Sequence, residues 1–169
     1  MGEKLRLAGV IRESVVDGPG WRFVVFVQGC PHRCKGCQNP QTHDFDGGYE
    51  GDCEKLFEAF MQNPVLAGMT LSGGEPFSQA RPLAALARRV HGAGKNIVTF
   101  TGWTYEQLVD GATPENGWLE LLQETDLLID GRFELEKKSL EIKFRGSTNQ
   151  RLIDPKKSLE AGYAVELKL

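Results

Sequence analysis

Cys30, Cys34 and Cys37 fall within eight consecutive residues, in the run Gly29-Cys30-Pro31-His32-Arg33-Cys34-Lys35-Gly36-Cys37, with C-x3-C-x2-C spacing. Thiolates are soft donors that suit zinc or iron–sulfur clusters. The run is too polar for inert thiols in a core strand. A cubane has four irons, so three cysteines leave one iron without a protein ligand and open to a bound reactant. A structural zinc, with His32 or His43 as fourth ligand, is the competing reading. The two histidines otherwise read as surface groups or as supports of the ligands. Cys53 stands apart on the polar start of a helix and reads as structural. No second cysteine group exists to hold a second cluster.

A second constellation is Ser72-Gly73-Gly74-Glu75-Pro76. Gly73 and Gly74 allow a ligand to approach the backbone closely. Glu75 has two readings: an acceptor for a ligand ammonium, or an acidic residue favouring the following helix N-terminus. Asp130 closes a buried strand, where a carboxylate without partners is costly. It either holds a polar network together or accepts turn amides beside Gly131. Arg145 and Asn149 lie in Phe144-Arg145-Gly146-Ser147-Thr148-Asn149-Gln150-Arg151, which reads as a lining of the site or as an ordinary polar loop.

The elements that must position these groups alternate between strand and helix. Trp21 to Gln28 is nearly all apolar, as in a strand buried on both faces. The Gly-, Pro- and Cys-rich stretch from Gly29 to about Gly51 reads as loop. Asp52 caps a helix with Leu56, Phe57, Phe60 and Met61 on one face. Met69 to Leu71 is a short strand running into the Gly-Gly-Glu loop. The next helix starts near Ser78, takes Pro82 in its first turn, buries Leu83, Leu86, Ala87 and Val90, and ends at Gly92 and Gly94. Asn96 to Phe100 is a strand, and Thr104 to Gln107 a capping box. Trp118 to Gln123 is helical, and Asp126 to Ile129 is a strand. Glu134 to Glu141 is charged and reads as a solvated face. Phe144 to Asp154 is loop plus one late strand. Trp103 and Trp118 read as packing residues.

Such units predict an α/β fold with a mainly parallel sheet. A complete eight-fold barrel takes about 250 residues, so 169 residues give roughly five or six units, an open partial (β/α) barrel in a single domain spanning 1–169. Its open side would suit a protein segment as substrate. The cysteine loop, the Gly-Gly-Glu loop, the Thr101-Gly102 turn and Asp130-Gly131 all follow strands and are expected to converge at their C-terminal ends. Hydrophobic residues make up 40% and charged residues 25%, with a net charge of −3, which argues against nucleic acid as a partner. The longest apolar run, Phe23 to Val27, is far too short to span a bilayer. Met1-Gly2-Glu3-Lys4 opens no signal-length hydrophobic stretch, so a cytoplasmic location is expected.

With the triplet after one buried strand and Gly-Gly-Glu-Pro after the next, the chain resembles radical S-adenosylmethionine enzymes. More closely, it resembles the anaerobic ribonucleoside-triphosphate reductase-activating proteins. The likeness is carried by Asp17-Gly18-Pro19-Gly20, by Val27 through Pro40, by Ser72 to Pro76, by Asp130-Gly131-Arg132-Phe133, and by Phe144 through Arg151. It covers nearly the whole chain. The resemblance implies that Cys30, Cys34 and Cys37 ligate a 4Fe–4S cluster whose fourth iron is chelated by S-adenosylmethionine. The cofactor would lie along Gly36, Cys37 and Gln38, with Gly73, Gly74 and Glu75 at its methionyl end. Asp130 and Asn149 complete the expected set. Gln38 departs from the His or Tyr often found after the third cysteine.

The implied reaction is reductive cleavage of S-adenosylmethionine to methionine and a 5′-deoxyadenosyl radical. That radical takes hydrogen from a glycine α-carbon of the reductase large subunit. The electron would come from a low-potential donor such as flavodoxin or ferredoxin. Two other functions remain open at this point. One is radical chemistry on a small molecule such as a deazapurine precursor, and the other a zinc-stabilised binding module.

Overall fold

A computed structural model describes residues 3–169, so Met1 and Gly2 of the N-terminal tetrapeptide lie outside the described residues. Seven strands form one sheet: β1 (Lys4–Ser14), β2 (Arg22–Val27), β3 (Tyr49–Asp52), β4 (Gly68–Gly73), β5 (Asn96–Phe100), β6 (Leu127–Asp130) and β7 (Arg151–Ile153). The helices are α1 (Cys53–Met61), α2 (Ala80–Gly92), α3 (Tyr105–Gly111), α4 (Trp118–Gln123) and α5 (Pro155–Ala161). The strand order is β3-β1-β2-β4-β5-β6-β7.

The sheet is mixed rather than mainly parallel. β2, β4, β5 and β6 run parallel to their neighbours in that series. β1 pairs antiparallel with both β2 and β3, and β7 pairs antiparallel with β6. Only the β1–β2 return is short, from Ser14 to Arg22; β3 and β7 are reached through loops of about twenty residues, and as antiparallel neighbours they need no helical crossover. Among the described residues, β3 and β7 form opposite edges of the sheet.

Alternation along the strands divides the interior. Phe23, Val25 and Val27 of β2, Met69 and Leu71 of β4, and Ile97 of β5 pack under the helices against Phe60, Leu83, Leu86 and Leu121. On the other face Val98, Leu127, Ile129 and Leu152 form a smaller cluster with Phe100 and Phe144. Burial of each such Leu, Ile or Phe contributes about 1.5–3 kcal/mol. Side-chain caps open α1, α3 and α5. Asp52 accepts from Glu54 N at the head of α1, and Thr104 and Gln107 form the capping box of α3. Met61 is exposed, so the buried stripe of α1 is Cys53, Leu56 and Phe60.

Arg22, fully buried, closes the lower end of the smaller cluster's face. Its guanidinium donates to Thr70 Oγ1 at 2.8 Å, Pro19 O at 3.0 Å, Met69 O at 3.0 Å and Asn96 O at 3.3 Å. Burial lowers its pKa to about 10, with Asp126 pulling the other way. The Asp17-Gly18-Pro19-Gly20 turn wraps this guanidinium. Gly18 has φ +138°, and a Cβ there would stand 2.9 Å from Arg22 Cδ.

At the upper end, Val27 of β2 lies beside Gly73 of β4 in parallel register. The loops that leave these two strands therefore start side by side.

Candidate active site

The cysteine loop leaves β2 through Gln28 and Gly29. Gln28 Nε2 donates to Gln41 O at 2.9 Å and Asp44 O at 2.7 Å, Gly29 N to Thr42 O at 2.7 Å, and Cys30 N to His43 O at 3.1 Å. These bonds tie the loop's start to the segment that follows its end. Between Cys34 and Cys37 the chain turns, with Cys37 N donating to Cys34 O at 3.1 Å. Gly36 sits at φ +76°, where a Cβ would meet Leu135 Cδ1 at 2.9 Å. Glycine here serves the turn and its packing.

Cys37 Sγ accepts from Asn39 N at 3.4 Å. Burial raises the thiol pKa of Cys30 and of Cys34, offset in part by the backbone N–H groups of His32 and Arg33 near the first and of Phe133 near the second. N–H donors aimed at sulfur favour thiolates and tune the clusters they ligate.

Gly73 and Gly74 press against the cysteine loop itself. Gly73 has φ +99° and Gly74 has its would-be Cβ 2.3 Å from Gly29 O. Gly74 N donates to Val27 O and Glu75 N to Gly29 O, both at 2.8 Å. The close approach expected of these glycines is thus first an approach of chain to chain. Both also line the cavity described next.

A cavity of about 810 Å³ opens at the C-terminal ends of the parallel strands. That is within the range of small-molecule sites, about 300–1,000 Å³. Cys30, Cys34, Cys37, Gln38, Gly73, Gly74 and Arg145 stand in its wall, as do Phe26, Ser72 and Phe100 from the sheet. Thr101, Gly102 and Gly131 join them, so the four strand-end loops do converge.

Gly36, Glu75, Asp130 and Asn149 are not wall residues. Glu75 is fully buried, taking His32 Nε2 at 2.6 Å, Gly102 N at 2.8 Å, Thr101 Oγ1 at 2.8 Å and Phe77 N at 3.0 Å. Asp130 accepts from Tyr105 N at 2.7 Å, and from Arg151 Nε at 3.1 Å and a second Arg151 nitrogen at 2.6 Å. Arg151 also reaches Glu106 at 2.6 Å. Hydrogen bonding to these carboxylates holds the Arg151 pKa up, and the same bond holds Glu106 down. Asp130 therefore ties β6, β7 and α3 together. Asn149 Nδ2 donates to Arg132 O at 2.8 Å, and its Oδ1 is buried without a protein partner.

The sequence offers His32 as a zinc ligand, a surface group or a support of the ligands, and gives Gln150 no role of its own. The His32 side chain is 3% exposed and lines the cavity, with Trp103 edge-on at 4.6 Å between ring centroids. Its partner Glu75 lies 43 positions away, so nothing local signals the pair. Gln150 accepts from Gly146 N at 2.8 Å and donates to Gly131 O at 2.9 Å, clasping the loop that walls the cavity. Cys53 is buried away from the cavity, its thiol raised to about 12 by burial, consistent with a structural residue.

The donor set suits a cluster. Three thiolates on one cavity wall are the soft donors that an iron–sulfur cluster takes, one thiolate to an iron. His32 Nδ1 and His43 Nε2 are buried without protein partners, and both histidines line the cavity. Burial beside Arg33 lowers the His43 pKa.

Comparison with known proteins agrees with this donor set. Residues 16–153 match the family described as "4Fe-4S single cluster domain". An anaerobic ribonucleoside-triphosphate reductase-activating protein of Vibrio cholerae serotype O1 is 36% identical over 145 residues, spanning 81% of this chain and 90% of its own. Proteins of the same name from Enterobacteria phage T4 and Salmonella typhi are 35% and 30% identical over the same share of this chain, and are themselves covered to 86% and 90%. The crystal structure of QueE from Escherichia coli superposes on 60% of this chain and 54% of its own at 17% identity, with a TM-score of 0.48, too loose a likeness to argue from. The chain belongs to the 4Fe-4S single cluster domain family, among the anaerobic ribonucleoside-triphosphate reductase-activating proteins.

Proposed function

We propose that this chain activates an anaerobic ribonucleoside-triphosphate reductase by generating a glycyl radical on it. The observation that carries the reading is the meeting of Cys30, Cys34 and Cys37 with Gly73 and Gly74 on one cavity, in a chain akin to the named activating proteins. The three cysteines hold a 4Fe–4S cluster, and Gln38, Gly73 and Gly74 lie along S-adenosylmethionine. When bound, the pair supplies one-electron cleavage to a 5′-deoxyadenosyl radical. The chain's own part is to bind, orient and exclude water. Thiolates are stabilised by N–H groups of residues 32, 33 and 39, and Phe26 and Phe100 give the cavity an apolar back. Asp130 and Glu75 brace the loops from behind the wall.

The chain acts as one domain over 1–169, its sheet curved into an open partial barrel. Its open side admits a segment of the reductase large subunit. Val16 and Leu140, 72% and 88% exposed, stand at the mouth with Lys143 and Arg145. A low-potential protein such as flavodoxin or ferredoxin supplies the electron.

The test mixes anaerobically reconstituted protein, reductant, S-adenosylmethionine and the reductase, then reads electron paramagnetic resonance. A glycyl-radical signal on the reductase is expected. Cofactor cleavage without that signal would refute the activation and favour a small-molecule substrate. A colourless protein carrying one zinc, in place of a brown one with about four irons, would refute the cluster.

A further inference from the structure

Glu75 has four acceptor positions and four chain donors to fill them. A carboxylate offers about four lone-pair sites. His32 Nε2, Gly102 N, Thr101 Oγ1 and Phe77 N occupy them at 2.6–3.0 Å, and no atom of this side chain lines the cavity. The group is committed to the protein. Three of the donors belong to the loops after β4 and β5, while the fourth reaches across from the cysteine loop.

His32 sits midway between Cys30 and Cys34, two residues from each, so moving its ring moves the backbone that carries both proposed ligands. The slot around its ring is tailored. Gly102 leaves the room, since a Cβ there would stand 2.3 Å from His32 Cδ2, and Trp103 closes one side at 75° to the imidazole. Trp103 in turn packs on Trp118 at 5.6 Å, whose indole N–H donates to Phe77 O at 2.8 Å. With Nε2–H given to Glu75, the opposite nitrogen Nδ1 faces no protein partner.

We infer that His32 is the positioning residue of this site. Glu75 holds its Nε2–H, and the ring anchors the cysteine loop to the Gly-Gly-Glu and Thr101-Gly102 loops. Glu75 then acts on the site through His32 rather than by touching what the cavity binds. The inference rests on the reading of the cysteines as ligands, but the His32–Glu75 pair is made by the chain's own atoms.

Asparagine and glutamine separate the ring's two nitrogens. A Gln amide N–H falls near Nε2, and an Asn amide falls near Nδ1. The first readout is the rate at which Cys30 is alkylated in reduced, iron-free protein, followed by mass spectrometry. Cys30 is buried in the anchored loop, so releasing the loop in His32→Asn should expose its sulfur and speed this by at least about tenfold, the shift in opening that loss of one charge-assisted hydrogen bond allows, while His32→Gln stays near wild type. The second readout is the electron paramagnetic resonance spectrum and midpoint potential of the reduced cluster after reconstitution. Both should shift in His32→Asn and be restored in His32→Gln. Should His32→Asn fail to fold, Glu75→Gln, which keeps volume and turns one acceptor oxygen into a donor, is expected to give the same two changes. Wild-type labelling and spectra in the variant that folds, or equal changes in the Asn and Gln variants, overturn the inference. Because labelling uses protein without iron, a negative activation assay leaves this result standing on its own.

Discussion

Burial raises the Cys34 thiol, and the Phe133 N–H offsets part of that cost. In the proposed reading three thiolates ligate the cluster, and two are too few to hold it. Cys34→Ala is expected to lose the cluster's colour after anaerobic reconstitution and to abolish S-adenosylmethionine cleavage, read as 5′-deoxyadenosine formed. Retained cleavage in that variant would remove the ligand assignment. The gathering of the three thiols on one loop was legible in the sequence because they fall within eight residues, and the structure puts all three in the cavity wall. Glu75 was half legible: its acidity and place before Pro76 were visible, and it does accept from Phe77 N at the head of the next turn. Its bond to His32 was not, because a pairing across 43 residues exists only once β2 and β4 lie side by side.

Elements with strong periodicity were readable to within about two residues, among them β2, β5, α2 and the Thr104 cap. β1 and β3 were not. β1 alternates inward only at Leu5 and Leu7 before running exposed through Val10 and Ile11, and Tyr49-Glu50-Gly51-Asp52 has little strand preference of its own. β3 is a strand because β1 offers it an edge. α5 carries Asp154 at its cap, Pro155 in its first turn and Gly162 past its end, yet buries only Pro155 and Ser158, so no apolar stripe announces it. Asp126, at the head of β6, joins that strand to α2, α5 and β5. Burial pushes its carboxyl up, but Lys156 at 2.8 Å, His91 at 2.7 Å and Ile97 N at 2.8 Å outweigh this and leave it below the usual value of 3.8. A carboxylate held low stabilises the fold above its unfolded pKa, and that contribution fades as pH falls through the folded value. Asp126→Asn should therefore cost about 1 kcal/mol near neutrality, and the gap to wild type should close below about pH 4 in denaturant titrations. A gap independent of pH would mean that these hydrogen bonds do not depend on the charge.

Across the whole molecule, chemistry and stability sit at opposite ends of the strands. The cysteine and Gly-Gly-Glu loops crown the C-terminal ends, whereas Arg22 and the Asp17-to-Gly20 turn seal the other. Arg22→Met removes four donated bonds, those to Thr70 and Met69 buried and those to Pro19 and Asn96 part-buried. A loss of about 2–4 kcal/mol is expected, or roughly 5–12 °C in Tm for a chain of this size, with iron bound per folded molecule unchanged. A matching loss of iron would show that the two ends are coupled. The pairing of Val27 with Gly73 carries a different consequence, for the permissible lengths of the strands. Both loops hang from that single rung. Exchanging one branched aliphatic residue for another within β2 alters packing by a methyl or so. Deleting one residue slides the strand by a step and turns its inward side chains outward. The cysteines would then rise from the wrong rung, out of line with Gly74. Variation along β2 and β4 should accordingly run to substitutions, with insertions and deletions falling in the loops between them.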